Sequence, residues 1–247
     1  MSYFQNIYLK RLNRYGLDYK TRLQGQREEN FENLLLKSVY RIDFSFNEEN
    51  HPALLERYKQ DETETLQYLL TRVSLNIPSG TILMLPNKDD VLKPYMVYWL
   101  EEIRASGYNK YVLLKMTHLI HWKDRNHEWR ESWAYMYGQE NNMLKDEIRS
   151  RSRMDSLYNE NLKLSFFVMP RNEFIKKDVY LEIGEDLFKE AYVVTGFDIQ
   201  STPGVEYVSI DPSYLRDDES MPDSMLCQKD NREQDYYWMS GGISNER

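Results

Sequence analysis

The chain runs twice through one pattern of strands and turns, and this repetition constrains its fold more than any other feature. Each copy reads as a strand, a loop, a second strand, a turn that contains glycine and a third strand. The spacing is about 97 residues, as between Tyr95 and Tyr192. The matching landmarks are Ile77 and Ile175, Tyr95 and Tyr192, Gly107 and Gly204, and Val112 and Val208. Two explanations stay open: a true duplication, or the likeness that any two β-meanders share.

Helical spacing of apolar residues predicts helices within residues 3–37, the last of them starting after the polar stretch 24–30. Residues 47–62 are polar, contain His51-Pro52 and are predicted to be a loop. Alternating apolar residues predict the strands, at about residues 39–46, 66–75, 81–85, 95–104, 110–121, 129–137, 163–169, 178–183, 190–199 and 205–210.

These elements predict an α+β chain that is mainly β. Its small antiparallel β-barrel or sandwich modules, two if the repeat is real, follow an N-terminal helical extension. The predicted units are 1–46, a helical segment with the first strand; 47–121, a first β-module; 122–215, a second β-module with a charged insertion at 138–162; and 216–247, a flexible acidic tail.

Composition narrows the classes of function. A net charge of −8 argues against a general nucleic-acid coat, which would be basic. Cys227 is the only cysteine, so an intrachain disulfide is impossible and a reducing cytoplasm is the simplest compartment. No apolar run approaches the roughly 20 residues that span a bilayer, and the N-terminus lacks the pattern of a signal peptide. We therefore expect no membrane partner.

The most distinctive stretch is a predicted β-hairpin around the turn residues 124–126. Its tryptophans, Trp122, Trp129 and Trp133, are explained first by aromatic pairing across the two strands, and second by docking to a partner. Three arginines of the charged insertion alternate with small residues: Arg149, Arg151 and Arg153. They can keep a loop soluble, pair with an acidic protein, or bind phosphate.

Catalytic patterns are weak in this sequence. His118 and His121 are three residues apart, but on the predicted strand they face opposite sides, and no cysteine cluster joins them. His127 falls in the hairpin turn. We predict no metal, no cofactor and no catalytic residues. A metal-dependent hydrolase or nuclease with a dispersed site stays open as an alternative, as does a single-strand binder of the OB type that stacks bases on Tyr and Trp.

From the hairpin onward, the order of features resembles the head-closure proteins of tailed bacteriophages, also called head–tail joining, stopper or neck proteins. The likeness covers roughly residues 120–212. It consists of the Trp122 hairpin that leads to Trp133-Ala134, a long charged insertion, the alternating strand 162–168, and the segments 175–183 and 192–199. Residues 1–120 have no counterpart in the small members of that family.

The resemblance implies a structural virion protein without enzymatic activity, made in the host cytoplasm and located in the neck. It implies a homo-oligomeric ring below the portal, which helps to retain packaged DNA passing through its channel. Portal or adaptor proteins and tail proteins would be its partners. A collar or tail-completion role fits the resemblance nearly as well. The tryptophans and arginines named above are the candidate interface residues.

Overall fold

The structure is a computed structural model that describes residues 7, 9–10, 19–58, 65–87, 91–101, 107–124, 126–137, 165–183, 190–199 and 202–213. In these residues, the long helix is α1 (Tyr19–Lys37). The first six strands are β1 (Arg41–Phe46), β2 (Glu49–Arg57), β3 (Leu66–Arg72), β4 (Ile82–Pro86), β5 (Leu92–Glu101) and β6 (Tyr108–Lys115). The next six are β7 (His118–Lys123), β8 (Trp129–Tyr137), β9 (Ser165–Pro170), β10 (Tyr180–Ile183), β11 (Glu190–Asp198) and β12 (Val205–Ser213).

The twelve strands form two antiparallel modules of six. In the first, here called the N-terminal sheet, the strand order is β1-β2-β3-β6-β5-β4, and the terminal strands β1 and β4 lie in contact. The second is a closed barrel, here called the C-terminal barrel, with the order β10-β11-β12-β9-β8-β7. Adding six to each strand number of the N-terminal sheet reproduces the pairing of the barrel. The fold is therefore α+β and mainly β, with two copies of one β-module, as the sequence predicted.

The repeat extends to irregular details of the backbone. Strand β5 carries a bulge between Val97 and Trp99, and β11 carries one between Val194 and Gly196, 97 positions later. The turns that follow these strands contain Gly107 and Gly204, both with a φ of +77°. Bulges and left-handed glycines need specific residues at specific positions. Their recurrence at a constant spacing goes beyond what two unrelated meanders would share.

The buried apolar side chains of the described residues form three clusters. One fills the N-terminal sheet and contains Leu69, Val97 and Leu113, and another fills the barrel around Trp122 and Phe167. The third lies between the modules and is called the shared core here. It joins the outer side chains of the N-terminal sheet to those of β8, β9 and β12, and its largest members are Tyr98, Trp99, Tyr137, Phe166 and Tyr207.

Helix α1 covers another part of the outer face of the N-terminal sheet. Phe31 and Leu35, four residues apart on one side of the helix, are buried in the shared core, and the Phe31 ring lies 5.1 Å from that of Tyr108. Arg72 of β3 donates to Glu32 in a bidentate pair with N–O distances of 2.5 and 2.9 Å. Helix and sheet are therefore joined by apolar packing and by an ion pair of fixed geometry.

A short contact between backbones joins the two modules beside the shared core. Ser79-Gly80, before β4, meets Gly204, before β12, and an added Cβ on either glycine would lie 2.0 Å from a carbonyl oxygen of the other turn. Nearby, the hydroxyls of Tyr98 and Tyr207 are 2.6 Å apart and buried, and Tyr207 also bonds Thr202 at 3.0 Å. Only glycine permits this approach of the two turns.

The bond between the two tyrosine hydroxyls can be measured with a double-mutant cycle. We expect Tyr98→Phe to lower the free energy of unfolding by about 1–2 kcal/mol, because the hydroxyl of Tyr207 then loses a buried partner. Tyr207→Phe combined with Tyr98→Phe should cost less than the sum of the single changes, by about 0.5–1.5 kcal/mol. Urea unfolding of the four proteins gives these values. Strictly additive costs would show that the two hydroxyls do not interact.

The prediction of a loop over residues 47–62 is wrong for Glu49–Arg57, which form β2. The misleading residue was Pro52, which cannot donate a hydrogen bond within a sheet. Pro52 pairs with Asp43 of β1, whereas β2 pairs with β3 only from Leu54 onward. The proline therefore lies where β2 has a neighbour on one side, the position in which a sheet tolerates it.

Two further boundaries differ from the prediction. The strand predicted over residues 110–121 is two strands in different modules, because Met116-Thr117 connects β6 to β7. The chain changes module there without a glycine or proline, and β7, partly in the predicted first module, belongs to the barrel. Helix α1 also starts earlier than predicted, because the polar stretch 24–30 belongs to the helix. The strand predicted at 39–46 is confirmed as β1, in the N-terminal sheet.

Candidate functional site

The hairpin between β7 and β8 has the turn chemistry that its sequence predicted. Asp124 accepts hydrogen bonds from the backbone N–H groups of Asn126 and Glu128 and from Nε of Arg130, at 2.8–3.1 Å. Desolvation opposes ionisation, but the Glu128 N–H, the Arg130 side chain and the Asn126 N–H hold the pKa of Asp124 below its ordinary value. The stability that this carboxylate adds is present above the pKa of a free aspartate and is lost as the pH falls through its folded pKa.

The three tryptophans of this hairpin have different surroundings. Trp122 is 0% exposed inside the barrel, and its Nε1 has no hydrogen-bond partner among the described residues. Trp129 and Trp133 are half-buried on the outer face of β8, where Trp133 packs against the shared core. The Nζ of Lys123 lies 5.9 Å from the centre of the Trp129 ring. Trp129 is therefore the tryptophan best placed to reach a partner, and Trp122 cannot do so from within the core.

Aromatic pairing across the strands does not explain the tryptophans. The strand register sets Trp122 opposite Arg130, Trp129 opposite Lys123 and Trp133 opposite Leu119. The Arg130 guanidinium instead lies 4.4 Å from the ring centre of Phe174. Arg149, Arg151 and Arg153 lie outside the described residues.

The histidines of the alternative metal hypothesis are spread over different surroundings. His118 and His121 point to opposite faces of β7, as predicted, and His127 is in the turn with a φ of +63°. Burial lowers the pKa of His118, with Glu190 acting in the opposite direction, and its Nδ1 lies 2.7 Å from Oγ1 of Thr117. Within the described part of the chain, no three His, Cys, Asp or Glu side chains are grouped so that they could hold a metal ion.

A buried row of ionisable side chains crosses the outer face of the barrel. His121 of β7 stands opposite Glu131 of β8 and Glu182 of β10, and its Nε2 is 3.5 Å from Oε2 of Glu131. His121 and Glu182 are almost fully buried. The sequence did not indicate this row, because residues that lie opposite one another on three strands are far apart along the chain.

A second buried carboxylate lies at the start of β12. Glu206 of β12 accepts a hydrogen bond from the backbone N–H of Asn172 at 3.1 Å and is 1% exposed. Burial raises the pKa of Glu206, although the Asn172 N–H and the charges of Arg171 and Lys176 partly offset this. The carboxylate thus anchors the loop between β9 and β10, at the cost of holding a charge away from water.

This arrangement predicts how stability depends on pH. The folded pKa of Glu206 exceeds that of a free glutamate, so the folded chain binds more protons between the two values and its stability falls as the pH rises through them. We expect Glu206→Gln, which keeps an acceptor for Asn172, to be more stable than the wild type at neutral pH. The difference should fade below about pH 4, where free glutamate also protonates. Thermal unfolding of both proteins from pH 4 to pH 8 tests this, and a gap that widens on acidification would contradict it.

Exposed apolar side chains gather where α1 meets β1. Leu36, Val39 and Tyr40 are 71%, 90% and 64% exposed and are called the knob here. Ser38 N donates to the Leu34 carbonyl at 2.9 Å, and Tyr40 N donates to Oγ of Ser38 at 3.1 Å, so the turn that follows α1 is fixed. Large apolar groups held open to water in this way are typical of contact surfaces.

Sequence reasoning missed the knob because the same apolar pattern also predicts a buried strand. It also missed the outward aromatic pair Tyr98-Trp99. Two adjacent large aromatics in an alternating strand are a signal for a bulge, which turns both to one face. That signal was present and could have located this part of the shared core.

No described helix of this chain is both long enough and apolar enough to cross a lipid bilayer. No protein-family model matches the sequence, and no curated protein resembles it at a significant level. Solved structures of MrkH give weak matches. One, described as a c-di-GMP-dependent transcription regulatory factor, has a TM-score of 0.23 and 10% identity over 85% of this chain and 92% of the other. MrkH from K. pneumonia in complex with c-di-GMP has a TM-score of 0.25 and 12% identity over 85% and 95%. Scores this low support no inference about fold or function.

Proposed function

We propose that this chain is a structural subunit of the neck of a tailed bacteriophage, which acts by assembly and catalyses no reaction. The observation that carries the proposal is the extent of one folded unit. The residues that resemble head-closure proteins, 120–212, coincide with the C-terminal barrel, which spans β7 to β12. The resemblance implies one small barrel with a long intervening segment, and residues 138–164 separate β8 from β9 in the sequence.

The organisation of the described residues supports an assembly role. The shared core and the two meeting glycine turns tie both modules into one unit, while the knob leaves apolar groups open to water. A subunit that works by contact needs a rigid body and exposed apolar patches. With its net charge of −8, such a subunit would let packaged DNA slide past with little adhesion.

Two measurements test the proposal. Native mass spectrometry of the purified chain should show a closed oligomer of defined size, since a ring is built from contacts that close on themselves. Mass spectrometry of purified virions should detect the chain, and antibody labelling in electron micrographs should mark the junction of head and tail. The absence of the chain from mature particles would overturn the proposal.

A further inference from the structure

The contact between the two modules joins faces that are not equivalent in the repeat. At the contact itself, the N-terminal sheet contributes Tyr98 of β5 and the Ser79-Gly80 turn before β4. The barrel contributes outer side chains of β8, β9 and β12, among them Phe166 and Tyr207. Gly204 of the barrel meets the Ser79-Gly80 turn, whereas the atoms nearest to its repeat counterpart Gly107 belong to Arg27 of α1. The two modules are therefore packed front to back, as subunits are in a ring or filament.

This packing leaves one face of the barrel uncovered by other described residues, although the equivalent face of the N-terminal sheet is covered. The outer side of β10, β11 and the second half of β12 corresponds to the side of the N-terminal sheet that buries the shared core. We call this the β10–β11 face and define it by the outward residues Tyr180, Val193, Thr195, Gly196 and Asp211. Tyr180 is 37% exposed and Asp211 is also exposed.

The β10–β11 face carries smaller side chains at its bulge than the equivalent face of the N-terminal sheet. Where the bulge of β5 presents Tyr98 and Trp99, the bulge of β11 presents Thr195 and Gly196. An added Cβ on Gly196 would meet only Cβ and Oγ of Ser209, at 4.0 Å. Small residues at this point leave room for large side chains from another molecule.

The knob is the complementary surface on the same chain. Leu36 lies in the last turn of α1, beside the cation of Lys37, and Val39 and Tyr40 lie in the fixed turn that follows. Among its outward residues, the β10–β11 face carries the carboxylate of Asp211 and no basic side chain. Apolar groups meet small residues, and a cation meets an anion, when one surface is set against the other.

We propose that the knob of one chain docks on the β10–β11 face of a second copy. This inference rests on the proposed function and names the contact by which the subunit assembles. Because the two surfaces differ, each chain can bind one neighbour with each, which is the requirement for a closed ring.

Complementation between two variants tests the contact. Val39→Asp places a charge in the knob, and Gly196→Arg fills the face at a position where the fold has room. In analytical ultracentrifugation, each variant alone should be monomeric under conditions in which the wild type is oligomeric. A 1:1 mixture should form dimers and nothing larger, because only the intact face of one variant and the intact knob of the other can join. A contact between identical patches would not be restored by mixing.

Control variants separate docking from folding. Leu92→Asp changes an apolar side chain that is 56% exposed and belongs to neither surface, so its oligomer should match the wild type. Reversal of two exposed charges gives a second test: Asp211→Lys should weaken assembly, and Lys37→Glu in the same chain should restore it.

The outcomes for the docking contact and for the proposed function are distinct. Variants that assemble like the wild type, or a mixture that stays monomeric, overturn the docking contact, while a wild-type ring and its presence in virions would still support the neck function. A wild-type chain that is monomeric at every concentration also overturns the contact. The neck function is then judged by the analysis of virions alone.

Discussion

Trp122→Ala should lower the free energy of unfolding by about 3–5 kcal/mol, the largest effect that we expect from a single substitution in this chain. The indole is 0% exposed inside the barrel and belongs to the same buried cluster as Leu181. Its removal leaves a cavity bounded by strands that close on themselves and cannot collapse freely. Urea unfolding followed by circular dichroism measures the loss.

Two companion variants separate burial from surface contact. Trp122→Phe should cost far less than Trp122→Ala, because it keeps an aromatic ring and removes an indole N–H that has no partner among the described residues. Trp129→Ala should change stability by no more than about 1 kcal/mol, since Trp129 is half-buried and its described partner is the cation of Lys123. Similar losses for Trp122→Ala and Trp129→Ala would mean that Trp122 is not a core residue.

The fold could be predicted from the sequence where local chemistry decides it. Strand alternation located most strands to within a few residues, and the spacing of Gly107 and Gly204 marked the repeat. Both glycines have a positive φ. Glycine adopts this conformation without steric cost, so the residue type alone indicates such a turn. The Asp124 turn was predicted for the same reason, because its hydrogen bonds join residues only a few positions apart.

The candidate site depends on contacts that local patterns do not reveal. A tryptophan on an alternating strand has the same sequence signature whether its face is the inside of a barrel or the outside. Trp122 and Trp133 therefore looked alike, although one is in the barrel core and the other borders the shared core. The row of His121, Glu131 and Glu182 likewise forms only when β7, β8 and β10 pair. Both the burial of these tryptophans and the row of ionisable side chains depend on how strands that are distant in the sequence pair with one another.

The meeting of two glycine turns gives the second large prediction. Gly204→Ala should lower the free energy of unfolding by about 2–4 kcal/mol, for two reasons that add. At the φ of +77°, the Cβ of an alanine makes the left-handed backbone conformation less favourable by about 1–2 kcal/mol than it is for glycine. Its Cβ would also lie 2.0 Å from the carbonyl oxygen of Ser79, so the two turns must separate and loosen the shared core. Thermal unfolding should show a fall of several degrees in Tm.

Gly196→Ala is the matched control for this prediction, because it makes the same chemical change within β11. Its added Cβ meets only Ser209, at the ordinary contact distance of 4.0 Å, so its Tm should stay close to that of the wild type. Gly107→Ala separates the two causes further. It has the same φ of +77°, but its Cβ would press on Arg27 of α1, so it should loosen the helix and leave the contact between the modules in place. If Gly204→Ala and Gly196→Ala unfold at the same temperature, the two modules do not meet through these turns.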